Sequence, residues 1–257
     1  MEEARAAAVI PARYGSTRFP GKPLTLLAGE PMVAHVIRRA REAGCFDAVL
    51  VATDDTSIIA AAEAAGAEAV MTGEAASGTD RVAQVVRAVD AEIIVNVQGD
   101  EPAVPPANLS LLTAFLRSHP DAELATLALP ASPEDLENPA VVKVVCDREG
   151  RALYFSRATI PYPRHPVPGI HRKHIGLYGF RRAALLRFAS WPEEALERSE
   201  GLEQLRALAH GMSIHVLEAA GDSVAVDVPD DVPRAEAALA RLRREGTARR
   251  EQGTGDR

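Results

Sequence analysis

The chain has 257 residues, 47% of them hydrophobic and 25% charged, with a formal net charge of −7. That balance is globular rather than disordered, and a chain of this size buries a full core without disulfide staples. It excludes a general nucleic-acid binder, which needs a basic surface and stacking aromatics where this chain has only 6 Phe, 4 Tyr and 1 Trp; nor does any apolar run approach the ~18 residues that cross a bilayer.

Residues 6–10, 48–53, 68–71 and 92–97 are short apolar runs of the kind that form strands buried on both faces. Helical patterns lie between them. After Pro31, Val33, Val36, Ile37 and Ala40 recur at helical spacing and Gly44 marks the stop; 55–66 and 79–89 are further helical segments. This alternation predicts a doubly wound, mostly parallel α/β sheet of Rossmann-like type. Pro102, Pro105 and Pro106 then end a strand and open a helix to about Arg117. Segments 123–129, 141–146 and 152–155 read as strands, the last two joined by a hairpin turn at 147–150. Four prolines between 161 and 169 dictate an irregular loop. A strand at 174–180, helices at 181–190 and 199–211, a strand at 213–217 and an amphipathic helix at 229–245 follow. The expectation is one α/β domain over 1–245, a β-rich subregion inserted at about 120–180, and a polar, disordered tail at 246–257. Cys45 and Cys146 form no C-x-x-C motif, and Met1-Glu2-Glu3 is acidic where a secretory leader would be basic, so a cytoplasmic location is expected.

The cations are lopsided, 26 Arg to 3 Lys, which raises at Lys22, Lys143 and Lys173 the question of whether a compact point charge is needed there or chance placed them. The first strand opens into Arg13-Tyr-Gly-Ser-Thr-Arg18-Phe-Pro-Gly-Lys22-Pro23, a cationic, glycine-containing loop suited to an oxyanion. It is not a Walker A loop: five residues separate Gly15 from Gly21, and Pro23 stands where Ser or Thr would bind magnesium. Asp100, in Gln98-Gly-Asp-Glu-Pro102, falls just past the carboxyl end of a buried strand, where open α/β sheets hold ligands, and Gly99 would admit a ligand to the backbone. A carboxylate there is a natural ligand for a hard cation. Asp230 and Asp231 read as caps of the terminal helix; Asp227, within a β-like stretch, fits capping less well. His171 and His174 hint at zinc, but no third ligand has the right spacing. Glu203 reads equally as a surface partner of Arg206 or as a site residue.

Taken together, the segments 10–23, 96–102, 154–161 and 226–231, with Ala52-Thr-Asp54, Ser77-Gly-Thr-Asp-Arg81, Lys143-Val-Val145, His174-Ile-Gly-Leu-Tyr-Gly179 and Leu202-Glu-Gln-Leu-Arg206 in order, resemble the 3-deoxy-manno-octulosonate (Kdo) cytidylyltransferases, the CMP-Kdo synthetases. The likeness spans about 9–232. It implies a magnesium-dependent reaction of CTP with Kdo, giving CMP-Kdo and pyrophosphate for lipopolysaccharide biosynthesis. By that resemblance Arg13 and Lys22 hold the triphosphate, and Asp100 and Asp227 hold the metal. Ala12, Ser77, Gly78, Thr79, Arg81 and Gln98 complete the CTP site. Arg157, His174, Tyr178, Glu203 and Gln204 bind the sugar, with Arg157 suited to its carboxylate. The family also implies a homodimer, with 120–180 as the contact surface. Asp80 stands where the family usually has Glu, and the 161–174 loop is short. The role of Lys143 stays open. Rival readings are a CMP-sialic acid synthetase, which usually has Asn where Pro23 stands, an 8-amino-Kdo enzyme, a glycosyltransferase, for which no Asp-x-Asp is found, and a non-catalytic nucleotide sensor.

Overall fold

The computed structural model describes residues 3–15 and 19–253, with side chains as far as Arg244. Arg18, one of the loop cations singled out above, lies outside the described residues, as do 254–257 of the expected tail.

Strand β1 (Ala6–Ala12) is an inner strand of the sheet. It pairs in parallel with β4 (Ala48–Thr53) on one side and β6 (Ile93–Asn96) on the other, and β5 (Glu68–Met71) extends the sheet beyond β4. Beyond β6, β10 (Arg172–Arg181) runs antiparallel to β6 and to β7 (Leu124–Pro130), and β11 (Ile214–Glu218) closes the edge parallel to β7. Side chains alternate across the sheet with a period of two, and β1 shows the consequence. Ala7 and Val9 pack on one face with Val82, Val86 and Leu205, while Ala6, Ala8 and Ile10 pack on the other with Val33, Ile37 and Leu109. The first face is covered by α3 (Gly78–Val86), α6 (Arg182–Phe188) and α8 (Gln204–Ala209). The second is covered by α1 (Met32–Glu42), α2 (Thr56–Ala64) and α4 (Pro106–Ser118). Strands buried on both sides explain the near-continuous apolar runs.

Several elements depart from the sequence expectation. Residues 120–180 do not form a separate insert: β7 and β10 lie within the main sheet, because their apolar faces are completed by the same helices. The hairpin of β8 (Lys143–Cys146) and β9 (Ala152–Ser156) branches from the start of β10 as part of the same sheet, with short α5 (Pro133–Glu137) between β7 and β8. The helix expected at 199–211 is two helices. α7 (Ala195–Glu200) stops at Gly201, whose left-handed φ of 62° lets its N–H reach the Glu197 carbonyl at 2.7 Å, and α8 begins anew at Gln204. A small hairpin, β2 (Leu26–Leu27) and β3 (Glu30–Pro31), packs through Leu27 and Met32 against Ala235 and Leu239 of α9 (Val232–Gly253). α9 thus continues into the stretch expected to be a tail.

The fold answers the question of Lys143. Its side chain is wholly buried, and Nζ donates to the carbonyls of Asn138 (3.1 Å), Val141 (2.8 Å) and Arg157 (2.6 Å). An ammonium has three donors, and each has an acceptor. Burial pulls its pKa below the ordinary value. Replacing it with Met would strand three carbonyls, so we expect Lys143→Met to lose roughly 2–4 kcal/mol of stability. Urea unfolding checks this; a loss within experimental error would show that water replaces the ammonium.

Candidate active site

Between β1 and β6 the strand order reverses, since the chain moves outward to β4 and β5 and returns on the other side. A crevice opens there beyond the carboxyl ends of the strands. Its volume is about 250 Å³. Pro11, Ala12 and Arg13 leaving β1, Gln98, Gly99 and Asp100 leaving β6, and Ser77, Gly78 and Arg81 of α3 line it, together with Lys22 and Asp227.

The crevice mouth is built round Lys22. Gly21, with φ of 70°, turns the chain into a single 3-10 turn at Lys22–Leu24, and Nζ of Lys22 lies 2.7 Å from Asp100 and 3.6 Å from Asp227. One ammonium therefore spans two carboxylates far apart in sequence. Their backbones are joined as well: the Val226 N–H donates to the Asp100 carbonyl at 2.9 Å. Asp231 fixes the other side by accepting from the N–H groups of Asp227 (2.9 Å) and Val228 (3.1 Å), so this acid braces the Asp227 loop as well as heading a helix. Two hard oxygen donors about one centre, beside a cationic loop, are the donor set a divalent cation such as magnesium takes. No group of three or more His, Cys, Asp or Glu side chains forms a metal cluster among the described residues, so the His171–His174 spacing builds no zinc site there.

Two residues of the crevice lining also serve the fold. Gly99 is required by its own fold, because a Cβ there would lie 2.5 Å from the Pro11 carbonyl oxygen. Arg81, 4% exposed, donates from Nη2 to Asp54 at 2.8 Å and from Nη1 to Thr72 and the Gly73 carbonyl. Asp54 in turn accepts from the Tyr14 N–H at 3.3 Å and so ties the cationic loop to β4. Sequence reasoning gave Asp54 no role, although it follows a strand end just as Asp100 does.

On the far side of the first turn of α3 lies a second, more buried group. Thr79 is absent from the crevice lining; its hydroxyl donates to Glu203 and accepts from Nδ2 of Asn96 at 2.9 Å. The break at Gly201 is what delivers Glu203 and Gln204 there. Arg206 is not Glu203's surface partner: it is buried and bound through Nε and Nη2 to Glu197 at 2.8 and 2.6 Å. Asn96 and Tyr178 are direct neighbours across β6 and β10, and Tyr178 lies 5.5 Å from the His174 ring. Burial dominates the electrostatics. It raises the Glu203 carboxyl, an effect opposed by hydrogen bonds from Thr79 and Ser77. It also lifts the Tyr178 hydroxyl well above its ordinary range, helped by Glu203 and Glu101, and drives Glu101 up to about 7. His174 is held neutral, its pKa lowered to about 3. Asn96 Oδ1, Gln204 Nε2 and Glu101 Oε2 are buried without a hydrogen-bond partner, the mark of a polar wall that a ligand or water completes. Asn96 and Glu101 were missed; for Asn96 the signal was a polar residue at the end of a buried strand.

Arg157 is engaged rather than free. Nε donates to the Glu200 carbonyl (2.7 Å), Nη1 to that of Pro139 (3.0 Å) and Nη2 to that of Gly201 (3.4 Å). It clamps the end of β9 to the turn between α7 and α8, leaving only its remaining N–H groups for a carboxylate.

A cytidylyltransferase family profile matches residues 7–214. The chain is 52% identical to a 3-deoxy-manno-octulosonate cytidylyltransferase of Anaeromyxobacter sp. (strain Fw109-5), covering 92% of this chain and 97% of that protein. It is 49% identical to the protein of the same name in Myxococcus xanthus (strain DK1622), covering 93% and 98%. A solved structure of CMP:2-keto-3-deoxy-manno-octonic acid synthetase complexed with CTP superposes with a TM-score of 0.89 at 40% identity, over 93% of this chain and all of that one. A cytidylyltransferase structure from Leptospira borgpetersenii, 17% identical with a TM-score of 0.58 and covering 89% and 83%, shares the fold.

The neutral His174 makes stability depend on pH. Its folded pKa is about 3 against an ordinary 6.5, so between those values the unfolded chain takes up a proton that the folded chain refuses. Its contribution is complete above pH 6.5 and falls as pH drops towards 3. We expect His174→Gln, which keeps a polar partner for Thr126, to show a flatter fall in urea midpoint over that range than the parent; parallel curves would contradict it.

Proposed function

Because the chain belongs to the cytidylyltransferase family, we propose that it activates 3-deoxy-manno-octulosonate, transferring the cytidylyl group of CTP to the sugar acid with release of pyrophosphate. The observation that carries this reading is the pairing of Asp100 and Asp227 about Lys22 at the mouth of a cationic crevice, with a buried polar group on the far side of α3 whose chemistry suits a polyhydroxy acid. The names of its relatives support the same nucleotide and sugar.

In this reading CTP lies in the crevice. Arg13 and Lys22 neutralise the triphosphate, and the backbone of Ala12 and Gly78 with the side chains of Gln98 and Ser77 frame the nucleotide. Arg81 acts through Asp54 to hold the loop. The anomeric hydroxyl of the sugar attacks the α-phosphorus; a new O–P bond forms, the bond to the β-phosphate oxygen breaks, pyrophosphate leaves, and the hydroxyl proton passes to water. Asp100 and Asp227 are the residues that would hold magnesium, which supplies positive charge to the reacting phosphate and acidifies a bound hydroxyl. The rest is positioning and charge stabilisation. Glu203, Gln204, His174 and Tyr178 meet the sugar, and Arg157 offers its remaining N–H groups to the carboxylate.

We further propose a cytoplasmic enzyme serving lipopolysaccharide biosynthesis. Among the described residues no helix is long and apolar enough to cross a membrane. A homodimer is supported by the apolar side chains exposed on β9 and the loop after it, Leu153, Tyr162, Val167 and Ile170.

Pyrophosphate release from CTP is expected with Kdo and not with sialic acid; the opposite preference, or no release with either, would overturn the assignment. Asp100→Asn keeps the shape of the crevice but removes a metal-binding charge. We expect it to fold with an unchanged melting temperature and to lose at least about a hundredfold in kcat, in line with charge stabilisation in a transfer of this kind. Parent-like turnover would remove Asp100 from the metal site.

A further inference from the structure

We propose that Thr79 and Asn96 are positioning residues of the acid-sugar subsite: Thr79 aims the Glu203 carboxylate at the sugar hydroxyls, and Asn96 fixes Thr79. The inference rests on the reading that Glu203 faces the sugar.

The direction of the hydrogen bonds carries the argument. A threonine hydroxyl has one proton to donate. The Asn96 amide donates to Thr79 Oγ1, so the hydroxyl proton is left for Glu203 Oε1. Asn96 is itself immobile, since it sits at the end of β6 and is fully buried. The chain from β6 through α3 to α8 therefore pins one carboxylate oxygen, Oε1, and with it the direction in which the carboxylate faces. Thr79 is 0% exposed and lines no part of the nucleotide crevice, so its hydroxyl acts on a ligand only through Glu203, on the sugar side. Asn96 Oδ1, an acceptor, and Gln204 Nε2, a donor, are both at least nine-tenths buried and unpartnered, the first on a member of this chain and the second on the residue next to Glu203. The hydroxyls of a polyhydroxy ligand both donate and accept, the chemistry these two atoms lack. Glu203 is offset from desolvation by its hydrogen bonds from Thr79 and Ser77, which favour the ionised acceptor.

The test is steady-state kinetics of the full chain with CTP, magnesium and Kdo. Thr79→Val keeps the shape and removes the hydroxyl; Thr79→Ser restores it. Loss of one hydrogen bond to a charged group should raise the sugar KM by about tenfold or more in Thr79→Val, with the CTP KM within about twofold of the parent. Thr79→Ser should return the sugar KM to within about threefold of the parent. Glu203→Gln, measured in parallel, separates the two levels of the argument. If it raises the sugar KM while Thr79→Val does not, the proposal fails and the sugar reading stands. If it raises the CTP KM instead, the sugar reading fails and takes the proposal with it. Equal increases of both constants in Thr79→Val, or a lowered melting temperature with no split between them, would make Thr79 a packing residue.

Discussion

The ion pairs of Lys22 with Asp100 and Asp227 are the constraint on which the site depends. Two carboxylates close enough to share one ammonium repel each other, and the positive charge between them makes the arrangement tolerable. Three remote segments must arrive together for this: the loop after β1, the end of β6, and the stretch before α9. The backbone bond from Val226 to Asp100 joins two of them. A small satellite core beneath, in which Leu27 and Met32 meet Val226 and Ala235, explains why a helix remote from the sheet belongs to the site. α9 is the anchor that brings Asp227 to the crevice.

The first turn of α3 divides two environments. On one side Ser77 and Gly78 face an open, cationic crevice suited to phosphates. On the other, Thr79 enters a buried network in which charge is resisted: His174 is neutral, Tyr178 keeps its proton, and Glu203 is held by hydrogen bonds. Buried polar groups of this kind are costly unless partnered, and Asn96 Oδ1 and Gln204 Nε2, on residues of or next to this network, are left for a polar ligand or water to complete.

Buried cations frame both sides. Arg81 is fixed by Asp54, Thr72 and Gly73, and Arg206 by Glu197 and Asp80. Lys143 and Arg157 grip backbone carbonyls of the 138–141 loop and of each other's surroundings. The compact ammonium of Lys143 points its three donors at carbonyls that converge on one atom, whereas the guanidinium of Arg157 spreads its donors in a plane to reach three carbonyls from different nitrogens, which gives a reason for lysine at 143 in a chain so rich in arginine.

The sequence by itself determined the doubly wound α/β architecture, because buried parallel strands and amphipathic helices carry distinct periodicities along the chain; β4 and β5 run over the residues their apolar stretches mark. It also exposed the loop cations and the strand-end acids, through residue types at positions where such sheets hold ligands. What it could not decide are relations between remote residues. That β7 and β10 join the main sheet, that Arg206 turns to Glu197 rather than Glu203, that Arg81 and Gly99 serve the scaffold, and that Thr79 leaves the nucleotide side all depend on which surfaces meet after folding. Local pattern records the periodicity of each element, but the partner of a buried polar group is chosen by the packing of the whole, and only the tertiary structure decides it.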